Sequence, residues 1–156
     1  MSTPTIENRL NELGIVLPTP SKPVAAYIPT KLVGNLLYIS GQVPFQDGKL
    51  LATGPVPRVV PMELAQQCAR QCVLNGLAAA KASLGTLDRI VGVARVGVFV
   101  QCEAGFTDQP KVANGASDLL VEIFGDAGRH SRAAVGSIAL PLGAAVEVEF
   151  ILEVRA

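Results

Sequence analysis

The stretch Arg132-Ala-Ala-Val-Gly-Ser-Ile-Ala-Leu-Pro-Leu-Gly-Ala-Ala-Val-Glu-Val-Glu149 decides how this chain is read. It sets one arginine at the head of an apolar segment and brings carboxylates back on the next. The segments from about Arg132 to Leu140 and from Ala145 to Val154, joined by Pro141-Leu-Gly-Ala144, read as the two strands of a hairpin. In the second, Val146, Val148, Phe150, Leu152 and Val154 point one way and Glu147, Glu149 and Glu153 the other. One face therefore belongs to a core, and the other is wet or meets a partner. With Leu140 opposite Ala145, Arg132 lies opposite Glu153 and about 20 Å from Glu147. A site that uses both Arg132 and Glu147 then has to form between two copies of the chain.

Working outward, residues Asp108 to Phe124 carry Val112, Ala116, Leu119, Leu120 and Ile123 at helical spacing, and Gly125 is a natural stop. The valine-rich run Ile90 to Val100 has no helical period and reads as a central strand, with Gly92 and Gly97 marking bulges or close packing. From Pro61 to Leu84, Ala65, Cys68, Ala69, Cys72, Val73, Gly76, Leu77 and Ala80 recur at three- and four-residue steps, which predicts a long amphipathic helix. Leu32 to Ser40 reads as a strand buried on both faces and closed by Gly41; a short strand after Pro44 turns at Asp47-Gly48. At the start, Thr3-Pro4 reads as the cap and first turn of a short helix that ends at Gly14, and Leu17 to Pro23 as a proline-rich connector. The order of two strands, helix, strand, helix and two strands predicts an α+β fold, with a mixed sheet and both main helices on one face. A single domain over residues 1–156, with a helical extension over about residues 1–24, accommodates all of it. The other sheet face needs cover, which oligomerisation supplies most simply.

Composition narrows the functions. At 156 residues and 49% hydrophobic content, the chain has ample apolar side chain for one continuous core. Thirteen basic and thirteen acidic residues cancel, which removes the positive field that nucleic-acid binding relies on. Aromatic content of 4% and the absence of tryptophan leave few platforms for stacking single-stranded bases. Cys68, Cys72 and Cys102 have no secreted disulfide pattern and suit a reducing cytoplasm. The N-terminus lacks a basic start followed by an apolar run, and no segment reaches the length of a membrane span. A soluble, cytoplasmic protein without membrane or nucleic-acid partners is the expectation.

Few residues are placed to do chemistry. Arg132 follows the loop-like Gly128-Arg-His-Ser131 and precedes small residues, so its planar fork of donors is open to a carboxylate or to a surface ion pair. Glu147 fits either a solvated sheet face or, if buried at an interface, proton transfer. His130, the one histidine of the sequence, is a tempting acid or base, yet its neighbours predict an exposed ring with no catalytic part. Cys68 and Cys72, one helical turn apart on the apolar stripe, read as core. No metal-ligand spacing, glycine-rich phosphate loop or serine elbow is present in the sequence.

Two motifs then stand out together: Gly34-Asn-Leu-Leu-Tyr-Ile-Ser-Gly-Gln-Val-Pro44, and the Arg132 to Glu149 segment with its Leu140-Pro141 turn. In this order they resemble the RidA/YjgF family of reactive intermediate deaminases, also labelled L-PSP endoribonucleases, over about Pro23 to Val154. The resemblance implies a chorismate-mutase-like α+β subunit and a homotrimer with ligand sites in the clefts between subunits. It implies hydrolysis of reactive enamines or imines such as 2-aminoacrylate to 2-keto acids and ammonia, without cofactor or metal. By motif position, Arg132 is the carboxylate-binding arginine and Glu147 the glutamate that handles water or proton. Tyr27, Ser40, Gly41, Asn114 and Ala134 are the implied substrate-binding residues. Ala134 stands where archetypal members carry cysteine, so only its backbone can serve. The N-terminal helix and a longer Gly125 to Ser131 loop are further departures, and both bear on the cleft. Other functions weighed are a non-catalytic trimer binding small carboxylates or keto acids, and an endoribonuclease, which the zero net charge disfavours.

Overall fold

A computed structural model describes residues 4–22 and 25–156. Strands β1 (Thr30–Val33), β2 (Leu36–Gln42), β5 (Ile90–Gln101), β6 (Ser131–Ser137) and β7 (Val146–Val154) form one sheet in the order β1-β2-β7-β5-β6. Two further short strands, β3 (Phe45–Gln46) and β4 (Lys49–Leu50), pair separately across the turn at Asp47-Gly48, where both residues have positive φ as such a tight hairpin requires. Helices α2 (Met62–Leu84) and α3 (Gln109–Phe124) pack against each other and lie together on one face of the sheet. The mixed sheet with both main helices on one side is thus as expected.

The long helix is fixed by its small residues. A Cβ at Gly76 would collide with the Phe150 ring, and one at Gly115 with the backbone of Gln66. These two glycines let α2 settle onto β7 and let α3 settle onto α2. Cys68 and Cys72 lie in this layer, as expected of core residues. Burial raises the Cys68 thiol to about 11 and the Cys72 thiol well above its ordinary range, so neither supplies a thiolate near neutral pH.

Three expectations need correction. The hairpin between the last two strands does not form. Instead β5 lies between them, pairing antiparallel with β7 and parallel with β6, so that Arg132 faces Val96 rather than Glu153. Closeness in sequence suggested pairing. Val93, Val96, Val98 and Val100 of β5 are buried, however, and a strand so apolar needs a neighbour on each side. Residues 138–145 carry the chain over its end, through a short 3-10 turn at Pro141–Gly143. The second correction concerns Leu32 to Ser40. It splits at Gly34, with positive φ, into β1 and β2, and β2 continues through Gly41 to Gln42. Its burial alternates, with Leu37 and Ile39 inside and Tyr38 43% exposed, so only one face meets the core.

Third, the cap of the first helix is Thr5, whose hydroxyl accepts from the Asn8 N–H ahead of α1 (Ile6–Glu12). Thr3, the cap expected from the sequence, lies outside the described residues, as does the end of the connector at Pro23. Glu7 docks α1 onto the body of the fold. Its carboxylate accepts from the Leu87 N–H at 3.1 Å and from Lys81 Nζ at 2.7 Å, and its own N–H donates to Asp88 at 3.0 Å. Burial acts to raise the Glu7 carboxyl, but these hydrogen bonds and the Lys81 charge outweigh it and hold the group below the usual carboxylate range. No helix among the described residues is long and apolar enough to cross a membrane.

Candidate active site

Two clusters of polar side chains emerge, one on each face of the sheet. Residues in register across neighbouring strands share a face, and Arg132, Val96 and Phe150 are in register. Phe150 points at the helices, so Arg132 does too. Its Nη1 donates to Asn114 Oδ1 at 2.9 Å and to Ser117 Oγ at 3.0 Å, both on α3. Asn114 and Ser117 are three residues apart and so present side chains on one helix face. Both Nη1 protons are thereby used. The Nε–Nη2 edge of the guanidinium has no partner among the described residues, and it is the edge that matches a carboxylate. Ala134, also on the helix side of β6, is half buried two residues further along.

Glu147 is three residues from Phe150 on β7 and therefore points to the opposite face. Two strands across and three residues along put the Cα atoms of Arg132 and Glu147 roughly 14 Å apart. This replaces the longer hairpin separation, and the opposed faces give a stronger reason why one subunit cannot join them. The three glutamates of β7 are not equivalent. Glu149 pairs with Arg95 and Glu153 accepts from Asn35, whereas Glu147 has no cation or donor among the described residues. Half buried, it has a carboxyl raised above the usual range, by burial first and then by the neighbouring charge of Glu149.

A bulge makes room for it. Between Ile39 and Gln42, β2 has one residue more than the facing part of β7, and Ser40 and Gly41 occupy the irregularity. A Cβ at Gly41 would run into Glu147 Oε1, so only glycine leaves that carboxylate its position. Ser40 is tied down: its hydroxyl donates to the Ile28 carbonyl at 2.7 Å and its N–H to the Pro29 carbonyl at 2.9 Å. These bonds hold the segment carrying Tyr27 beside the strand. Tyr27, Gly41 and Glu147 line one cavity of about 420 Å³, together with Gln42, Asn75, Leu142 and the connector residues Pro20 and Lys22. The connector that follows the N-terminal helix, rather than the helix itself, thus forms part of a wall.

The site residues named from the sequence therefore fall into two groups. Asn114 joins Arg132 directly, with Ala134 nearby; Tyr27, Ser40 and Gly41 gather about Glu147. Ser117 escaped sequence reasoning, and His130 was set aside there as exposed. Ser117 was legible only as the residue one helical turn beyond Asn114. His130 is half buried rather than exposed, and bonded through both ring nitrogens. No group of three or more His, Cys, Asp or Glu side chains that could hold a metal ion occurs among the described residues.

Comparison with known proteins agrees with this architecture. A family model described as "YjgF/chorismate_mutase-like, putative endoribonuclease" matches residues 7–154. Protein TCP17 of Trypanosoma cruzi is 42% identical over 147 residues, covering 94% of this chain and 92% of its own. The crystal structure of Atu1372, a protein of unknown function from Agrobacterium tumefaciens, is 45% identical and superposes with a TM-score of 0.89 over 96% of this chain and 92% of its own. A "putative endoribonuclease" from Shewanella oneidensis is 35% identical, with a TM-score of 0.91 over 96% and 99% of the two chains.

Proposed function

Since this chain belongs to the YjgF/chorismate mutase-like family, the RidA/YjgF group of the sequence reading, we propose that it hydrolyses small imines and enamines to 2-keto acids and ammonia. The simplest such substrate is 2-aminoacrylate with its imine tautomer. The observation that carries this reading is the guanidinium of Arg132, held through Nη1 by two neutral acceptors with its Nε–Nη2 edge open. A carboxylate received there forms two parallel charge-assisted hydrogen bonds, and neither holder competes with it for charge. An anionic imine of three or four carbons suits such a clamp.

Glu147 supplies the proton chemistry. With its carboxyl raised above the usual range by burial, it donates a proton to the imine nitrogen and then, as carboxylate, takes one from the water that adds to the imine carbon. Collapse of the resulting carbinolamine forms the ketone and expels ammonia, so that imine and water balance keto acid and ammonia. No cofactor enters, because an imine is already electrophilic. Backbone groups at Gly41 and Ala134 remain to orient the water and the developing ketone. Arg132 and Glu147 act together only where the helix-side corner of one copy meets the Glu147 cavity of another. A homotrimer with three such clefts satisfies this and covers the bare sheet face, on which Val33, Tyr38 and Val135 are exposed. Three unpaired, buried cysteines suit a reducing cytoplasm as the setting.

The test is Arg132→Ala assayed on freshly generated 2-aminoacrylate. Loss of turnover by at least about a hundredfold, with assembly and melting temperature retained, is expected. Undiminished turnover would remove the arginine from the reaction. Saturable binding of a 2-keto acid by the wild type without accelerated imine decay would instead support a carboxylate-binding trimer. Metal-independent RNA cleavage abolished by the same substitution would support an endoribonuclease.

A further inference from the structure

Behind Arg132 runs a chain of hydrogen bonds whose direction is set by one carbonyl. His130 Nδ1 lies 2.6 Å from the Gly128 oxygen, and a carbonyl oxygen can only accept, so Nδ1 carries the proton. In the neutral ring Nε2 is then a bare lone pair. It lies 2.9 Å from Ser117 Oγ and must accept from that hydroxyl. Having given away its proton, Ser117 Oγ faces Arg132 with lone pairs only, and Nη1 donates into one at 3.0 Å. Asn114 Oδ1 takes the second Nη1 proton at 2.9 Å.

We infer that Ser117 and His130 are positioning residues for Arg132, a relay that fixes the guanidinium plane so that its Nε–Nη2 edge faces the substrate carboxylate. The inference rests on the reading that Arg132 binds that carboxylate. A serine bonded to a histidine also suggests a nucleophile, but here a cationic guanidinium donates into one of the oxygen's two lone pairs, which opposes attack by the other. Positioning accounts for every bond. An arginine side chain is long and loses much rotamer freedom when it binds, and Arg132 leaves an edge strand where few neighbours confine it. Fixing it in advance removes part of that entropic cost from ligand binding. His130 itself is anchored two residues away on the Gly128 carbonyl, in the loop that follows α3 and brings the imidazole behind the arginine.

Pyruvate binding by calorimetry, steady-state kinetics on 2-aminoacrylate and thermal midpoints, measured on the intact protein, test the relay. Ser117→Ala and His130→Phe are each expected to weaken pyruvate binding and raise KM roughly tenfold, with kcat changed less than about twofold. Because both cut one chain, the double variant should lose little more than either alone. His130→Gln, whose amide oxygen can replace Nε2 as acceptor, and Ser117→Thr should recover most of the affinity. Unchanged affinity in Ser117→Ala and His130→Phe, beside an inactive Arg132→Ala, overturns the relay and leaves the proposed function standing. Full activity in Arg132→Ala removes the proposed function itself. Equal losses in His130→Gln and His130→Phe, with lowered midpoints in both, would assign the ring a role in folding only and overturn the relay. Should Ser117→Ala fail to fold, the His130 pair decides alone.

Discussion

At the Arg132 corner a charged side chain stands exposed and is held by neutral acceptors, whereas in the Glu147 cavity a carboxylate is half buried beside another carboxylate. The first arrangement keeps a charge permanent and aims it; the second makes a charge costly and therefore easy to neutralise. A binding group needs the former, and a group that gives and takes protons needs the latter. Their supports differ in the same sense. Arg132 is positioned by side chains of α3 and the following loop, and Glu147 by a backbone bulge and a missing Cβ. The two lie on opposite faces of one sheet, so under the proposed function each copy of the chain presents two halves of different sites.

The sharpest way to break this comparison is to mix the halves. Arg132→Ala and Glu147→Gln should each lose turnover by about a hundredfold or more when assayed alone. Co-refolded in equal amounts, they should recover about a quarter of the wild-type rate, because each interface draws an intact arginine half the time and an intact glutamate half the time. No recovery in verified mixed oligomers would mean that the two residues do not share a site. Gly41→Ala probes the cavity half alone. The added methyl displaces the flexible end of Glu147, so turnover should fall roughly tenfold while the melting temperature moves by less than about 2 °C. An unaffected rate would show that the position of this carboxylate is not critical.

Smaller effects concern stability and its dependence on pH. The Glu7 carboxyl is held low in the folded protein, so its contribution is present at neutral pH and is lost as pH falls through the carboxylate range. Glu7→Gln should lower the melting temperature by roughly 2–4 °C at pH 7 and by less under acid conditions. Glu147 has the opposite sign. Its carboxyl is raised, the folded state holds the proton more tightly than the unfolded chain, and stability declines as pH rises through that range. Glu147→Gln should therefore raise the melting temperature at pH 7 by roughly 1–2 °C while abolishing turnover. A variant that loses both stability and activity would contradict the contrast between an aimed charge and a suppressed one.

Much of the fold was legible because its signals are local. The spacing of Ala65, Cys68, Cys72 and Leu77 fixes the buried stripe of α2, and the alternation from Val146 to Val154 fixes both faces of β7. The family resemblance picked out Arg132, Glu147, Tyr27, Ser40, Gly41, Asn114 and Ala134 as candidates. Their grouping was not legible. Strand order depends on which apolar strand most needs neighbours, and β5 takes the place between β6 and β7 that sequence proximity had assigned to a hairpin. The splitting of Leu32 to Ser40 at Gly34 depends likewise on where the sheet ends.

The sequence by itself determined most of the elements, the core and the candidate residue types, because periodicity and side-chain identity act over one or two turns of chain. Only the tertiary structure decided that Arg132 and Glu147 point away from each other, that Ser117 and His130 stand behind the arginine, and that the connector walls the other cavity. Those relations join residues distant in sequence through strand order, and strand order is settled by the burial of β5 as a whole rather than by any local pattern.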